Sequence, residues 1–277
     1  MAEIFPFTAL RYDPEKVHLS QVVTQPYDKI TPRMQEDYYS ASPHNLVRII
    51  LGRPEGQETE TNNRYTQAAA YVQAWRKQGI LARDSSPSIY AYSQRFLVPE
   101  TSQTVERRGF IAAGRLYNYE EGVVFRHEQT LAKPKSDRLN LLRATHAHFG
   151  QIFMLYSDPA QSIDELLFDD DHYEWQEVTD EYRVLHRLRR ITEPAVLNIV
   201  QTEMADRKLI IADGHHRYET ALNFRNEAAG NPDSCFRANA SRVMMTFVNM
   251  DSPGLMILPT HRLVSGLAAF VTESFLV

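Results

Sequence analysis

Five residues with chemically useful side chains or backbones stand together at one point of the chain: Asp213, Gly214, His215, His216 and Arg217. The apolar residues at 209–212 predict a short buried strand, and residues 218–229 predict a helix. A strand that turns directly into a helix presents unpaired backbone N–H groups at the positive end of the helix dipole. Such a turn attracts anions, phosphate above all, and an arginine beside it adds bidentate phosphate contacts.

The same five residues also have a purely structural interpretation. Asp213 would then be an N-cap, Gly214 a tight turn, and the two histidines surface residues. On a helix, His215 and His216 point to different sides, so at most one of them faces the core. Because core packing requires none of these polar types here, we favour the anion-binding interpretation for the five together.

A second group of reactive residue types follows a predicted strand at 123–126. It contains a histidine, a carboxylate, a hydroxyl and two lysines: His127, Glu128, Thr130, Lys133 and Lys135. A carboxylate beside a substrate hydroxyl acts as a general base, and lysines neutralise phosphate oxygens as a reaction proceeds. Ser136 is the predicted N-cap of the helix that comes next. The alternative is a solvated charged loop. Without the motif at 213–217, we would favour that alternative for this segment.

Two further segments offer side chains for a ligand. Tyr27 and Asp28 lie between two prolines that fix the backbone, so this loop either grips a ligand or forms a plain surface turn. These residues alone favour the turn. His261 and Arg262 follow a short predicted strand at 255–258, and strand ends are where sites collect in α/β proteins.

The composition limits the class of protein. The chain has 277 residues, of which 43% are hydrophobic and 23% charged, as in soluble globular proteins. A net charge of -5 gives no general footprint for nucleic acid. One cysteine, Cys235, excludes an internal disulfide framework and a cysteine-based zinc site. There is no signal peptide pattern and no apolar run near the roughly 18 residues that span a bilayer, so we expect a cytoplasmic protein without membrane contact.

Strands and helices interleave along the chain without the regular alternation of a doubly wound sheet. We therefore predict a mixed α/β or α+β fold with a central mixed sheet and packed helices. Residues 1–277 are expected to form one compact unit, with a possible hairpin subdomain at 88–117. The apolar ending at 263–277 predicts that the chain is incomplete at its C-terminus. The other predicted elements are strands at 46–51, 151–156, 182–191 and 242–248, and helices at 61–78, 162–168 and 193–206.

Four motifs resemble the signatures of a large prokaryotic family known as domain of unknown function 1015. The first is Ile-Ala-Asp-Gly-His-His-Arg-Tyr-Glu-Thr-Ala at 211–221. The others are His-Glu-Gln-Thr-Leu-Ala-Lys-Pro-Lys at 127–135, Gln-Pro-Tyr-Asp at 25–28 and Leu-Pro-Thr-His-Arg at 258–262. The resemblance spans most of the chain, and the four motifs make chance agreement improbable.

The Asp-Gly-His-His-Arg core also resembles, more distantly, the phosphate-binding strand–turn–helix of the ParB/sulfiredoxin-like fold, which includes free-serine kinases. This resemblance implies that ATP or ADP, with Mg²⁺, binds here. The phosphates would lie on Gly214, His215, His216 and Arg217, with Lys133 and Lys135 beside them. Asp213 would hold Mg²⁺ or orient a histidine, and Glu128, near His127, would be the base for a substrate hydroxyl. The substrate would contact Tyr27, Asp28, Thr130, His261 and Arg262.

The function that these observations predict is phosphoryl transfer from ATP or ADP to a small hydroxyl substrate such as serine. One alternative is a ParB-like, nucleotide-dependent binding or regulatory protein with DNA as its partner, although the acidic charge and the lack of a helix-turn-helix oppose it. A third is a metal-dependent hydrolase built from His127, Glu128, Asp213, His215 and His216. Its residue types suit zinc or manganese, but the His-Glu-x-x-His spacing is missing. The oligomeric state is left open.

Overall fold

The structure is a computed structural model, and it describes residues 1–54, 56–128, 130, 132–169, 174–257, 264–267 and 269–271. The side chains of residues 132–134 lie outside this description. The strands are β1 (Ile4–Phe5), β2 (Leu10–Tyr12), β3 (Leu81–Arg83), β4 (Ile89–Leu97), β5 (Thr104–Arg115), β6 (Val124–Phe125), β7 (Ile152–Tyr156), β8 (Gln176–Thr179), β9 (Leu185–Ile191), β10 (Leu209–Asp213) and β11 (Arg242–Asn249). The helices are α1 (Leu19–Val22), α2 (Pro32–Ala41), α3 (Val47–Ile50), α4 (Arg64–Lys77), α5 (Ala132–Thr145), α6 (Ser162–Phe168), α7 (Pro194–Ala205), α8 (His215–Ala228) and α9 (Ser234–Ala240).

One large mixed sheet dominates the described part of the chain. Its strand order is β6-β10-β7-β11-β5-β4-β9-β8, and β1 pairs with the last part of β5. The pairs β10–β6 and β11–β7 are parallel, and the other pairs are antiparallel. The mixed α/β architecture with a central mixed sheet is therefore confirmed. None of the described helices is both long and apolar enough to cross a lipid bilayer.

The predicted hairpin is formed by β4 and β5, with Tyr90 opposite Ile111 and Leu97 opposite Thr104. It lies within the large sheet, because β5 continues on to pair with β11 and β4 pairs with β9. Both strands carry β-branched and aromatic residues, which suit a sheet buried on one face. Phe110 of β5 stacks on Phe247 of β11 with ring centroids 5.0 Å apart, in the centre of the main core.

A smaller apolar cluster lies beside the large sheet, between the β2–β3 pair, α3, α4 and α5. Its buried members are Ile49, Ala68, Val72, Trp75, Ile80, Leu81 and Leu141. Helix α4 fits the predicted helix at 61–78 and begins with a capping box between Asn63 and Thr66. Ala68, Val72 and Trp75 are buried, at the spacing of three and four residues that forms one face of a helix.

Three local predictions are wrong. Residues 255–257, the described part of the strand predicted at 255–258, form no strand. Residues 46–51 form the short helix α3 and not a strand, because the Asn45 side chain accepts a hydrogen bond from Val47 N at 2.9 Å and starts a helical turn. A short apolar run does not distinguish a buried strand from a buried helix. Ser136 is not an N-cap, since α5 already begins at Ala132.

Helix α8 is fixed to the sheet by its apolar face. Tyr218, Ala221 and Leu222 are buried, at the spacing of three and four residues that places side chains on one side of a helix. The Tyr218 hydroxyl donates to the Tyr117 carbonyl at 2.8 Å and accepts from the Tyr117 N–H at 3.0 Å. These bonds position the first turn of α8 at the end of β10, where the predicted anion site lies.

Candidate functional site

The predicted strand–turn–helix is present at residues 213–217, here called the α8 turn. Strand β10 ends at Asp213 after an irregularity in its pairing with β7, and α8 begins at His215. Gly214 between them has φ +94°, a left-handed conformation that costs other residues about 1–2 kcal/mol. The helix begins three residues earlier than predicted, so both histidines belong to its first turn and their N–H groups have no intrahelical acceptor.

The Arg217 side chain packs closely on the backbone of two glycines, Gly214 and Gly150, which leave room for it. A Cβ on Gly214 would stand 3.1 Å from Cζ of Arg217, and one on Gly150 would stand 3.2 Å from its Cδ. Arg217 donates to a carboxylate oxygen of Asp213 at 2.5 Å and to the carbonyl of Gln151. Asp213 therefore pairs with Arg217, and in the described structure its side chain does not cap the helix.

The two histidines separate as predicted. His215 is 3% exposed and His216 is half-buried. His215 Nδ1 lies 3.5 Å from an oxygen of the exposed Glu128, and its Nε2 is buried without a hydrogen-bond partner in the described part of the chain. The His127 ring meets the His215 ring edge-on, with centroids 4.6 Å apart. His127, Glu128 and His215 thus come together although more than 80 residues separate the two segments.

The protonation of His215 follows from this environment. Burial lowers its pKa, and the nearby positive charge of a protonated His127 acts in the same direction. The negative charge of Glu128 works against both, but the pKa remains below its usual value. His215 is accordingly neutral at pH 7, with one ring nitrogen available as an acceptor.

Glu219 on α8 binds side chains of the segment 126–135 and was not among the site residues predicted from the sequence. Its Oε2 accepts hydrogen bonds from the Thr130 hydroxyl and from Lys135 Nζ, the latter at 2.9 Å. Its Oε1 accepts from Arg126 Nη1 at 3.1 Å. We call Arg126, Thr130, Lys135 and Glu219 the Glu219 cluster. Glu219 stands four residues after His215, on the same side of the helix, and this spacing is the signal that points to it.

The charges of the cluster control the ionisation of Glu219. Burial acts to raise its pKa, whereas the hydrogen bonds from Thr130 and Lys135 lower it. The positive charges of Lys135 and Arg126 lower it further, and the net result is a pKa below the usual value. Glu219 is therefore ionised at neutral pH and holds Lys135 and Arg126 beside the first turns of α8.

The loop with Tyr27 reaches the same side of the molecule. The Arg138 guanidinium lies 4.0 Å from the Tyr27 ring centroid, and Arg138 Nε donates a hydrogen bond to the Asp137 carboxylate at 2.9 Å. Burial raises the pKa of Tyr27, while the positive charges of Arg138 and Arg217 act to lower it. Asp28 is exposed beside it. The Lys133 side chain and residues His261 and Arg262 lie outside the described residues.

Metal binding at the site depends on exposed carboxylates. Among the described residues, no three His, Cys, Asp or Glu side chains are placed to share a metal ion. Mg²⁺ in phosphate sites needs only one or two carboxylates, with phosphate oxygens and waters as its other ligands. The exposed carboxylates of Asp213 and Glu128 suit that requirement, provided that Asp213 exchanges its bond to Arg217.

Comparison with known proteins gives one match. A protein-family model described as "Protein of unknown function (DUF1015)" matches residues 4–277. No curated protein and no solved structure matches the chain. The matched range includes all four sequence motifs, the α8 turn and the Glu219 cluster.

Proposed function

We propose that this chain, which belongs to the DUF1015 family of proteins of unknown function, is a nucleotide-dependent phosphotransferase. It would move a phosphoryl group from ATP or ADP to the hydroxyl of a small molecule such as serine. The observation that carries the proposal is the α8 turn. Gly214, in a left-handed conformation, precedes a helix of 14 residues. In the first turn of that helix, the buried His215 lies next to the exposed carboxylate of Glu128.

The α8 turn and the Glu219 cluster supply the phosphate end of the site. The start of α8 is a position where an anion is favoured, because the first backbone N–H groups of a helix have no acceptor within the helix and lie at the positive end of its dipole. Lys135 and Arg126 add positive charge, which the ionised Glu219 keeps in place. Arg217 would exchange one of its two protein acceptors for a phosphate oxygen. That exchange would free Asp213 to hold Mg²⁺, which, when bound, neutralises charge on the phosphate oxygens.

Glu128 is the residue that would take the proton. The substrate hydroxyl oxygen would attack the terminal phosphorus, and the bond from that phosphorus to the bridging oxygen of the nucleotide would break. Its electron pair would leave with the shortened nucleotide, while the hydroxyl proton would pass to Glu128. His215, held near Glu128 by burial, would orient the carboxylate. Phosphoryl transfer depends mainly on positioning and charge neutralisation, which is what these loops supply.

The remaining predicted residues fall into two groups. Thr130 bonds Glu219, which supports a role in holding the loop in addition to any substrate contact. The Tyr27 ring lies against Arg138 and within the electrostatic influence of Arg217, so Tyr27 and the adjoining Asp28 would form a substrate wall. The substrate-binding role proposed for His261 and Arg262 rests only on the likeness of residues 258–262 to a family motif.

Calorimetry with ATP, ADP and CTP, together with an assay of nucleotide consumption with free serine, tests the proposal. We expect one nucleotide to bind, Arg217→Gln to weaken that binding, and Glu128→Gln to slow turnover at least a hundredfold with binding retained. Glu227→Gln is the control, because Glu227 lies on α8 in an exposed pair with Arg143. Failure of all three nucleotides to bind would refute the proposal. Retention of DNA in a gel shift at low salt without nucleotide consumption would favour the ParB-like alternative.

A further inference from the structure

A second cationic cavity lies away from the α8 turn and shares no residue with it. It encloses about 290 Å³ between α2, the segment after α3, and α4. We call it the arginine pocket, and the residues that matter for its chemistry are Tyr39, Arg48, Gly52, Arg53, Gln67 and Tyr71. No motif of the sequence pointed to this pocket.

Two guanidinium groups face the same tyrosine ring in this pocket. The Arg48 and Arg53 guanidinium carbons lie 4.4 and 4.5 Å from the ring centroid of Tyr39. Hydrogen bonds hold both side chains, since Arg48 Nη2 donates to the Tyr39 carbonyl at 2.9 Å and Arg53 Nε donates to the Gln35 side-chain oxygen at 3.5 Å. The Arg53 backbone N–H also donates to the Tyr39 hydroxyl at 2.8 Å. The two positive charges are therefore held in place before any ligand arrives.

These charges are poorly compensated in the described part of the chain. Arg48 Nε is buried and has no hydrogen-bond partner there. The one carboxylate within ion-pair distance of either guanidinium among the described residues is that of Glu36, 3.7 Å from Arg53 and 74% exposed. An exposed pair of this kind is strongly screened by water. Buried donors of a charged group normally have acceptors, so Arg48 Nε is a donor that a ligand oxygen could use.

We infer that the arginine pocket binds an oxyanion, the phosphate or carboxylate group of a small molecule. Guanidinium groups bind both kinds of oxyanion through paired N–H donors. The Tyr71 ring lines the pocket as an apolar surface for the body that carries the anion, and the Gln67 side chain adds an amide. Gly52 keeps one wall close to the backbone, since a Cβ there would stand 2.8 Å from the Arg48 carbonyl oxygen.

A bracing role for the two arginines, with no ligand, predicts a different response to anions. Titration with inorganic phosphate and, separately, with acetate distinguishes the two roles. The Nε–Hε resonances of Arg48 and Arg53 are followed by nuclear magnetic resonance in the Arg217→Gln chain, which weakens the α8 turn as an anion site. Phosphate and acetate stand for the two possible oxyanion groups.

We expect at least one probe to shift both resonances in a saturable manner. Adding Arg53→Gln should weaken this binding at least tenfold, whereas Arg76→Gln, an exposed arginine at the end of α4, should leave it unchanged. Circular dichroism verifies that the Arg53→Gln chain is folded, and Arg53→Lys, which keeps the charge, should bind more tightly than Arg53→Gln. The inference is overturned if neither probe shifts the resonances, or if Arg53→Gln binds as well as its parent.

Discussion

Two largely buried carboxyl groups lie at opposite ends of the strands in the large sheet, and their pKa values are shifted in opposite directions. Glu219 lies beyond the end of β10, and its carboxylate has a hydroxyl and two cations as partners. Asp164 of α6 lies near Tyr156 and Asn249, the last residues of β7 and β11, and neither of its oxygens has a hydrogen-bond partner in the described part of the chain. The pKa of Glu219 is lowered, whereas burial raises that of Asp164 to about 6.

The neighbouring Asp158 explains why Asp164 is left without partners. Asp158 is 1% exposed and takes the donors available at this end of the sheet, from Arg207, Ser162 and the N–H of Ile163. Its negative charge also acts to raise the pKa of Asp164. Burial alone therefore does not decide whether an acid is charged. The number of donors that reach it matters as well: three side chains donate to Glu219, whereas neither oxygen of Asp164 has a donor in the described part of the chain.

The largest expected effect is at Asp164. The folded chain keeps the Asp164 proton up to about pH 6, whereas the unfolded chain loses it near 3.8, so the free energy of unfolding falls as the pH rises between these values. A difference of about two units corresponds to about 3 kcal/mol. Asp164→Asn should therefore be more stable than the wild type at pH 7.5 by up to about 3 kcal/mol. Urea denaturation should show little of this gain at pH 4, and an equal gain at both pH values would contradict the account.

Glu219 should respond in the opposite direction. Glu219→Ala removes the acceptor of two cations and a hydroxyl. We expect a loss of about 2 kcal/mol at pH 7, between the values for exposed and fully buried pairs, because both cations are partly exposed. The lowered pKa means that this contribution is present above 4.5 and is lost as the pH falls below that value. Glu227→Gln, whose pair is exposed, should cost less than about 0.5 kcal/mol. Equal losses for the two variants would remove the distinction between the Glu219 cluster and a surface pair.

Gly214→Ala tests the backbone of the α8 turn and should have a smaller effect. The left-handed conformation alone costs an alanine about 1 kcal/mol. Gly122→Ala is the matched control, since Gly122 has φ +66° and open space around the position of a Cβ. The new methyl group at Gly214 would in addition press on Arg217. Thermal unfolding should therefore show a larger loss for Gly214→Ala than for Gly122→Ala, and the reverse order would mean that Arg217 is not packed on this glycine.

The sequence predicted the parts of the site that are local. The strand, the glycine turn and the helix at 209–228 follow from neighbouring residue types, as does the burial of only one of the two histidines. Glu219 was missed because its partners Arg126 and Lys135 lie 93 and 84 residues away along the chain, and only the packing of α5 and β6 near α8 brings them close. The helix with Asp164 was predicted at its observed bounds, but the lack of donors around this residue depends on Asp158 and the sheet.

The measurement that tests the central claim most directly is the response of backbone amides to ADP. Nuclear magnetic resonance spectra of the wild-type chain, recorded with increasing ADP and Mg²⁺, report which N–H groups meet the phosphates. We expect the largest shifts at Gly214, His215 and His216, with the Lys135 side chain also affected. Shifts confined to other parts of the molecule, or saturating ADP binding with the α8 turn unchanged, would contradict the claim.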